Sequence, residues 1–449
     1  MEKLQVQRRK RLVLVPYPLQ GHINPMLDLA SILHSKGFSI TIAHTKFNSP
    51  NPANHPDFIF LPIQDGIPNL DVSPPNLVDL ASAINTNCKE PFRECISQLM
   101  HQEQRHQVVC IIYDFLMHFA ETVANQLNIP SIILRTSNAT TLLAFRTIPQ
   151  LREEGYHSLQ DSTSYDLVPG LHPLRFKDLP VSSMGSLDNF LQLLAVVCNT
   201  RTSSAIIWNT MDCLENSSLA RLQEQYHVPF FPIGPMHKMA PAESSKLFKD
   251  ENNCFEWLEK QAPNSVLYVS FGSIAKLDEK ELTEMAWGLT NSYQPFLWVI
   301  RPDLVSGSEA FLPEGFQELT RERACLVRWA PQKDILAHPA VGAFWSHCGW
   351  NSTLESICES VPMICKPYFA DQKVNARYLT HEWGVGIELG DVMQRTEIAK
   401  AIRSILVEKE GMQMRQKAIA LKEQIEQCMK DGGSSYNSLD KLVQFISSL

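Results

Sequence analysis

The sequence predicts an α/β protein of two domains, each built around a doubly wound parallel sheet. Three observations support this fold class. The chain has 449 residues, more than a single hydrophobic core usually serves. Short apolar runs alternate with segments whose apolar residues recur at helical spacing. This alternation occurs in both halves of the chain, and alternating strands and helices are typical of parallel sheets covered on both faces.

Six apolar runs predict the strands of the N-terminal half, and helical patterns separate them. Between the first two runs, Met26, Leu29 and Leu33 place their side chains on one face of a helix over Pro25–Ser35. The predicted strands are Leu12–Val15, Ser39–Ala43, Phe58–Leu61, Val108–Tyr113, Ser131–Leu134 and Ala205–Trp208.

The C-terminal half repeats this scheme after a break at Phe231–Pro235 and a polar stretch. A last helical pattern covers Ser438–Ser447. The predicted strands are Val266–Ser270, Phe296–Ile300, Cys325–Val327, Val341–Trp345, Pro362–Cys365 and Val385–Glu388. The breaks divide the chain into an N-terminal domain (1–239), a linker (240–253), a C-terminal domain (254–433) and a final helix (434–449).

Composition and charge narrow the class of function. Hydrophobic residues make up 44% and charged residues 20% of the chain, as in ordinary soluble proteins. The net charge of −8 argues against nucleic acid as the main partner, since binding the phosphate backbone needs a basic face. The 11 cysteines show no C-x-x-C pair, and no run of about 18 apolar residues occurs. We therefore expect reduced thiols, no membrane span and a cytoplasmic location. The basic run Arg8–Arg11 is interpreted as a solvated tail, with a nuclear or membrane-surface signal as the alternative.

Polar residues follow two predicted strands of the C-terminal half, where a ligand site of an alternating strand–helix fold belongs. After Val341–Trp345, a short polar loop leads into a helix that opens at Asn351. Backbone N–H groups and the positive end of the helix dipole would point at an anion there, such as a phosphate. After Pro362–Cys365, Asp371 and Gln372 place a carboxylate beside an amide, and such a pair can bind neighbouring hydroxyls of a sugar.

The segment from Trp329 to Gln372 resembles, over its whole length, the signature box of plant secondary-product glycosyltransferases, the UDP-sugar-dependent family-1 enzymes. The resemblance implies that its polar and aromatic positions bind successive parts of a UDP-sugar. These are Trp329, on the uracil; Gln332 and Glu355, on the ribose; His347, Asn351 and Ser352, on the phosphates; Trp350, Asp371 and Gln372, facing the sugar; and Ala330, within the same site. Two departures, Ser360 for the usual glycine and Cys365-Lys366 for an apolar–Trp pair, are interpreted as loop variation near sugar and acceptor.

A candidate base precedes the first helix. His22 lies in the loop Pro16–Met26, with Asn24 interpreted as the helix N-cap and Pro25 as the first helical residue. The helix dipole disfavours imidazolium there, so the ring stays neutral and can accept a proton from a hydroxyl. Asp114 follows the fourth predicted strand, and a carboxylate on Nδ1–H would fix the tautomer. The loop matches the family pattern PxPxQGHxxP, which implies that His22 is the catalytic base and that Asp114 orients it.

The other polar positions have two interpretations each. Ser273 follows the first strand of the C-terminal half and could donate to the diphosphate, with Gly272 letting the backbone approach. Asp278 and Glu281 match a capping box. The structural alternatives are a capping box for Ser352 and Glu355, packing for Trp329 and Trp350, a helix N-cap over Phe115–Leu127 for Asp114, a loop position for His22 and an ordinary turn for Ser273.

Over the whole chain, the resemblance implies the glycosyltransferase-B architecture, in which two Rossmann-like domains face each other. The N-terminal domain would bind the acceptor, the C-terminal domain the UDP-sugar, and the final helix would pack back on the N-terminal domain. The implied reaction is the inverting, metal-independent transfer of glucose from UDP-glucose to a hydroxyl or amine of a small lipophilic plant metabolite, giving a β-glucoside. UDP-glucose is then a co-substrate, no cofactor or metal is expected, and the protein is expected to be a monomer.

Two other functions stay open. A catalytically idle UDP-sugar-binding protein would keep the box, but the intact His22 and Asp114 argue against it. A NAD(P)-dependent oxidoreductase would share the sheet topology, but no G-x-G-x-x-G follows the first strand. D-x-D, phosphate-loop and zinc-ligand patterns are also absent from the sequence.

The sequence leaves the acceptor open. The whole chain most resembles the subfamily with steviol-glycoside and cytokinin glucosyltransferases, which spans several acceptor classes. The loops that build the acceptor pocket in this family are mostly apolar or aromatic here, so a phenolic, terpenoid or hormone is expected. The candidate acceptor-binding residues are Tyr17, Leu19, Leu116, Thr141, Phe145, Leu194, Tyr368 and Phe369.

Overall fold

A computed structural model describes residues 9–67, 76–102, 106–156, 164–183, 186–199, 202–241, 253–302, 304–305 and 312–449 of the chain. These residues form two compact units, each with its own parallel sheet. The first unit draws on residues 1–156, 184–242 and 427–449, and the second on 157–183 and 243–426. The second unit thus takes in a segment that the sequence-based division assigned to the N-terminal domain. Arg8 and most of the predicted linker, 242–252, lie outside the described residues. The interpretation of the basic run as a solvated tail was wrong for Arg9–Arg11, which begin the first strand, with Arg11 buried.

The first unit contains a seven-stranded parallel sheet in the order β3-β2-β1-β4-β5-β6-β7. All six predicted strands are present. The seventh, at the edge, was not predicted because its proline was interpreted as a break; an edge strand tolerates proline, since one of its sides needs no N–H donor. The strands are β1 (Arg9–Val15), β2 (Ser39–Thr45), β3 (Ile59–Ile63), β4 (His106–Asp114), β5 (Ser131–Arg135), β6 (Ala205–Trp208) and β7 (Phe230–Pro232).

Helices connect these strands, and their apolar faces cover the sheet. β1 and β5 are buried over most of their length, as expected for strands packed between helix layers. The helices are α1 (Gln20–Ser35), α2 (Leu77–Asn87), α3 (Lys89–Gln102), α4 (Phe119–Gln126), α5 (Ala139–Glu153), α6 (Leu187–Val197), α7 (Asp212–Gln225) and α8 (Met236–Met239).

The second unit contains a six-stranded parallel sheet in the order β10-β9-β8-β11-β12-β13. Its strands are β8 (Val266–Ser270), β9 (Phe296–Val299), β10 (Ala324–Val327), β11 (Val341–Ser346), β12 (Met363–Cys365) and β13 (Gly386–Glu388), each end within one residue of the prediction. Its helices are α9 (Asn253–Leu258), α10 (Glu279–Ser292), α11 (Phe316–Thr320), α12 (Gln332–Leu336), α13 (Trp350–Cys358), α14 (Gln372–Arg377), α15 (Arg395–Leu406) and α16 (Lys409–Met429). α10 begins with the predicted capping box: Glu281 N–H donates to Asp278 at 2.7 Å and Asp278 N–H to Glu281 at 3.2 Å.

The last helix, α17 (Ser434–Ser448), belongs to the first unit. Its Leu439, Leu442 and Ile446 are buried in the same hydrophobic cluster as Leu12 and Leu14 of β1. The last helix therefore packs in the same core as the first strand, although the residues of the second unit separate the two in the sequence. None of the helices in the described part of the chain combines the length and the apolar character that crossing a membrane requires.

Ser360, one of the two departures from the family pattern, has a backbone φ of 57°. In this left-handed region a side chain clashes with the following carbonyl, which costs about 1–2 kcal/mol and explains why glycine is usual. We expect Ser360→Gly to raise the free energy of unfolding by about 0.5–1 kcal/mol, because relief of strain exceeds the added entropy of the unfolded glycine. Urea denaturation measures this change. Ser97→Gly in the middle of α3 is the control and should lower stability; a loss for Ser360→Gly as well would contradict the prediction.

Candidate active site

His22 lies in the first turn of α1 rather than in the loop before it. The prediction that the helix begins at Pro25 with Asn24 as N-cap was wrong: α1 begins at Gln20, and the N–H groups of His22 and Ile23 both donate to the Leu19 carbonyl at 2.9 Å. Pro25, the sixth residue of this helix, has no N–H to donate to the residue four positions before it. His22 therefore stays at the positive end of the helix dipole, as the sequence required.

The His22 imidazole is bonded to Asp114. Nδ1 of His22 lies 2.8 Å from Oδ2 of Asp114, whose carboxylate is fully buried at the end of β4. The other carboxylate oxygen accepts the Leu116 N–H at 3.0 Å. α4 begins only at Phe119, so Asp114 is not its N-cap and that alternative was wrong. A buried carboxylate accepts hydrogen bonds, so Nδ1 carries the proton and Nε2 is the nitrogen that can take one up.

Thr136 is a third member of this group that the sequence did not reveal. Its hydroxyl lies 3.0 Å from Nδ1 of His22 and donates to Oδ2 of Asp114 at 3.3 Å. Thr136 directly follows β5, which pairs in parallel with β4, so the carboxyl ends of the two strands are adjacent. The only signal in the sequence was this position after a predicted strand. The side chains of Asp114 and Thr136 hold the imidazole ring in one orientation, and the centroid of the Tyr17 ring lies 5.2 Å from that of the imidazole.

The chain after Thr136 is fixed by a buried carboxylate. Asn138 caps α5 by accepting the Thr141 N–H at 2.7 Å. Glu215 of α7 accepts the N–H groups of Ala139 and Thr140 at 2.8 and 2.9 Å, and two threonine hydroxyls besides. Burial raises the pKa of Glu215, while these hydrogen bonds act in the opposite direction. Glu215 thus ties the start of α5, three residues after Thr136, to α7.

In the second unit, the imidazole of His347 is enclosed by glycine backbone. A Cβ atom at Gly272 would lie 2.7 Å from Cε1 of His347, and one at Gly349 would lie 2.6 Å from Nε2. Only glycine fits at both positions without moving the ring. Burial, with the charge of Arg301 as a smaller cause, lowers the pKa of His347 to about 4. The ring is therefore neutral at pH 7 and can offer one N–H to a ligand.

The helix after this loop, α13, begins at Trp350 with Gly349 as N-cap, and no side chain caps it. Asn351 lies in its first turn, as predicted to within one residue. Ser352 and Glu355 lie inside the helix, so their interpretation as a capping box was wrong. Both instead bond to Gln332, whose amide donates to the Ser352 hydroxyl at 2.9 Å and to the Glu355 carboxylate at 2.7 Å. A hydroxyl, an amide and a carboxylate thus converge at one place.

Two of the three tryptophans of the box, Trp329 and Trp350, differ in exposure. Trp329, just after β10, exposes 44% of its surface, whereas Trp350 exposes 3%. The Trp350 ring lies 6.4 Å from that of Trp383. Trp329 is therefore accessible to solvent over part of its surface, and Ala330 beside it is buried.

Gln372, at the start of α14, holds the preceding loop. Its Oε1 accepts the backbone N–H groups of Tyr368 and Phe369 at 2.8 and 3.1 Å. The amide nitrogen of the same side chain is a donor that takes no part in this contact. Gln372 thus has its orientation fixed from one end.

Asn375, which the sequence did not single out, joins the two polar loops of this unit. Its amide donates to Oδ2 of Asp371 at 3.1 Å and to the carbonyl of Cys348 at 2.9 Å. Cys348 is adjacent to His347, so Asp371 and the His347 loop are held by one buried side chain. Ser273 is exposed beyond Gly272, whose φ of 66° needs glycine. Within the described part of the chain, no three His, Cys, Asp or Glu side chains group as a metal site would require.

A family profile described as "UDP-glucoronosyl and UDP-glucosyl transferase" matches residues 211–421. UDP-glycosyltransferase 76E1 of Solanum lycopersicum is 50% identical over 451 residues, which cover 99% of this chain and 94% of that protein. The chain belongs to the UDP-glycosyltransferase family. The resemblance inferred from the signature box is thereby confirmed.

Two further relatives extend this result to activity and fold. Flavonol 3-O-glucosyltransferase UGT76E12 of Arabidopsis thaliana is 45% identical, with 98% of each chain covered. The solved structure of Phytolacca americana UGT2 complexed with UDP-2fluoro-glucose and pterostilbene is 29% identical, covers 99% of this chain and 100% of that one, and has a TM-score of 0.85. The predicted fold class, α/β with the glycosyltransferase-B architecture of this family, is confirmed.

Lys366, the second departure from the family pattern, is 5% exposed. Burial lowers the pKa of its amine. Nζ donates to the carbonyls of Gly390 and Asp391 at 3.2 and 2.7 Å. A lysine is thus accommodated at this position by backbone carbonyls beyond β13.

The candidate acceptor-binding residues differ in accessibility. Tyr17, Leu19, Thr141, Leu194 and Phe369 are buried. The remainder, Leu116, Phe145 and Tyr368, are partly exposed. Among the described residues, the hydroxyl groups of Tyr17, Thr141 and Tyr368 are buried without a hydrogen-bond partner. Such groups are uncommon in folded proteins and are often completed by a ligand or water.

Proposed function

We propose that this family member transfers glucose from UDP-glucose to a hydroxyl or amine of a small lipophilic plant metabolite, with inversion at the anomeric carbon and without a metal ion. The bond from C1 of glucose to the β-phosphate oxygen breaks, the bond from C1 to the acceptor atom forms, and UDP leaves. Inversion of an α-linked donor gives a β-glucoside.

The observation that carries the proposal is the 2.8 Å contact between His22 and the buried Asp114 carboxylate. Asp114 and Thr136 keep the proton on Nδ1, so Nε2 of His22 removes the proton of the acceptor hydroxyl. The Asp114 carboxylate then stabilises the imidazolium that forms. An idle binding protein would have no use for such an arrangement.

The residues of the second unit have complementary tasks. The exposed Trp329 stacks on the uracil, and the group of Gln332, Glu355 and Ser352 binds the ribose and a phosphate. The neutral His347, Ser273 and the N-terminus of α13 at Asn351 donate hydrogen bonds to the diphosphate. Charge develops on the UDP oxygens as the bond to glucose breaks, and fixed donors stabilise it. Trp350, Asp371 and Gln372 face the glucose, and Ala330 lines the site.

The first unit binds the acceptor in this proposal. It supplies apolar contacts and the two buried hydroxyl groups that have no hydrogen-bond partner among the described residues, those of Tyr17 and Thr141. The residues of this unit are Tyr17, Leu19, Leu116, Thr141, Phe145 and Leu194, and Tyr368 and Phe369 add aromatic surface. A flat, mainly apolar molecule with hydrogen-bonding groups fits this composition. The flavonol and the pterostilbene named for two relatives have this character. We further propose a monomer that acts in the cytoplasm, in keeping with its 11 cysteines without a disulfide.

The test combines the purified protein with UDP-glucose and a panel of phenolic, terpenoid and hormone acceptors. UDP release measures turnover, and the proton coupling at C1 of the product reports the anomeric configuration. We expect a β-glucoside at a rate unaffected by EDTA. UDP-glucose binding without turnover on any acceptor would indicate the idle binding protein, and an α-glucoside or a rate abolished by EDTA would refute the proposed mechanism.

Trp329→Ala is expected to weaken binding of UDP and UDP-glucose equally. Loss of a stacked aromatic ring costs about 1–3 kcal/mol, or about 5- to 150-fold in Kd. Calorimetric titration measures both affinities. Trp257→Ala, in the short helix α9 of the same unit, is the control and should leave them unchanged. A loss confined to the sugar-bearing ligand would remove Trp329 from the uracil.

Gln372→Ala is expected to lower the rate with UDP-glucose and to narrow its advantage over UDP-galactose. The two donors differ only at the C4 hydroxyl, and an unpaired buried polar group costs about 1–3 kcal/mol. Competition between the donors, run on the wild type and the variant, gives the ratio of kcat/KM. Because Gln372 also holds the Tyr368–Phe369 loop, unfolding is monitored in parallel. A variant of lower stability with an unchanged donor ratio would show that this loop contact is the only role of Gln372.

A further inference from the structure

Arg301 has no assigned role in the reaction, yet it lies at the carboxyl ends of the strands, where the proposed phosphate-binding residues are. It follows β9, which runs parallel to β8, with Trp298 paired to Val269. The carboxyl ends of the two strands are therefore neighbours. β8 leads into Gly272 and Ser273, and β9 leads into Arg301.

The guanidinium group of Arg301 holds the backbone of the Ser273 loop. Nη1 donates to the carbonyl oxygen of Ser273, and Nη2 donates to that of Ala275. The planar guanidinium holds its N–H donors in a rigid fork that fits two acceptors, whereas the ammonium of lysine is a compact charge on a flexible stem. With Gly272 packed against the His347 ring, the loop is fixed from two sides.

The same group places a permanent charge beside the diphosphate site. The charge of Arg301 is the smaller of the two causes that lower the pKa of His347, and Ser273 and His347 are the two side chains proposed to donate to the diphosphate. A cation within reach of both stabilises UDP, which gains negative charge as it leaves.

We propose that Arg301 is a positioning residue of the diphosphate site, which holds the Ser273 loop through two carbonyls and supplies a fixed positive charge to the leaving UDP. This inference rests on the proposed function and adds a part to it. Arg301 acts through the loop and through its charge, without covalent participation.

The test compares the affinities for UDP and for uridine, which lacks the phosphates. In Arg301→Gln we expect the Kd for UDP to rise about 10- to 100-fold, the value of a lost charge-assisted interaction, while that for uridine stays at the wild-type value. Arg301→Lys keeps the charge and loses the fork, so its Kd for UDP should lie between those of the wild type and the Gln variant. The kcat for UDP-glucose should fall in the same order.

Arg323 provides a matched control. Its guanidinium also donates to two carbonyls, those of Leu289 and Thr290. Arg323 precedes β10, so it lies at the amino ends of the strands of this sheet, whereas Arg301 lies at their carboxyl ends. Arg323→Gln should leave both affinities unchanged. An unchanged UDP affinity in Arg301→Gln, or an equal loss for uridine and UDP, would overturn the inference and leave the proposed function intact. Failure of the wild-type protein to bind UDP would overturn both.

Discussion

His22→Ala should lower kcat about 10²- to 10⁴-fold, the usual contribution of a general base. The reason is that the variant lacks the imidazole that is proposed to take the proton of an acceptor hydroxyl. The Kd for UDP should stay unchanged, since the proposed UDP-binding residues belong to the other unit. Initial rates with a weakly acidic alcohol and calorimetry with UDP measure the two quantities. His34→Ala, in the last turn of the same helix, is the control and should keep wild-type turnover.

An acceptor that is already ionised needs no base, so a strongly acidic phenol should lose far less rate in His22→Ala than an alcohol does. Asp114→Asn should also lower turnover, because an amide no longer fixes the imidazole with its proton on Nδ1. Near-normal turnover of the alcohol by His22→Ala would remove His22 from the mechanism.

Glu215→Ala should lower the free energy of unfolding by about 3 kcal/mol or more, because it leaves several buried donors without an acceptor. The donors are the N–H groups of Ala139 and Thr140 and the hydroxyl of Thr210. Urea denaturation measures the loss. Glu224→Ala, at an exposed position of the same helix, should change stability little.

Glu215→Gln keeps one acceptor oxygen and should lose less than the alanine variant does. Since the carboxylate fixes α5, which starts three residues after Thr136, we also expect a lower kcat in those molecules that remain folded. A stability of Glu215→Ala equal to that of Glu224→Ala would contradict the role of Glu215 as the anchor of α5.

The sequence predicted strands better than helix starts, for a physical reason. A central parallel strand is buried on both faces, so β6, β8 and β11 are continuous apolar runs with clear ends. α1 has no comparable signal at its start: Leu19 caps it without a side-chain hydrogen bond, and the prolines and asparagine nearby suggested a later beginning.

The site was predictable where its residues lie in one motif, and hidden where tertiary pairing assembles it. The signature box contains most of the candidate UDP-sugar-binding residues within one segment. Thr136, by contrast, reaches His22 only because β4 and β5 pair so that Asp114 lies opposite Leu134. Glu215 accepts the Ala139 N–H at the start of α5, although more than seventy residues separate the two in the sequence. A lone polar residue after a strand or inside a helix carries no sign of such a partner.

The return of α17 to the first strand has a practical consequence for exchanging parts between relatives. A chimera with a single crossover near residue 240 would combine the sheet of one parent with the Leu439, Leu442 and Ile446 of the other, and the two halves of one hydrophobic core would no longer have evolved together. A design with two crossovers, which takes the last helix from the same parent as β1, keeps that core intact. On the proposed assignment of acceptor binding to the first unit, acceptor preference can then be transplanted between family members with less loss of stability. The yield of folded chimeras reports on how much the helix contributes.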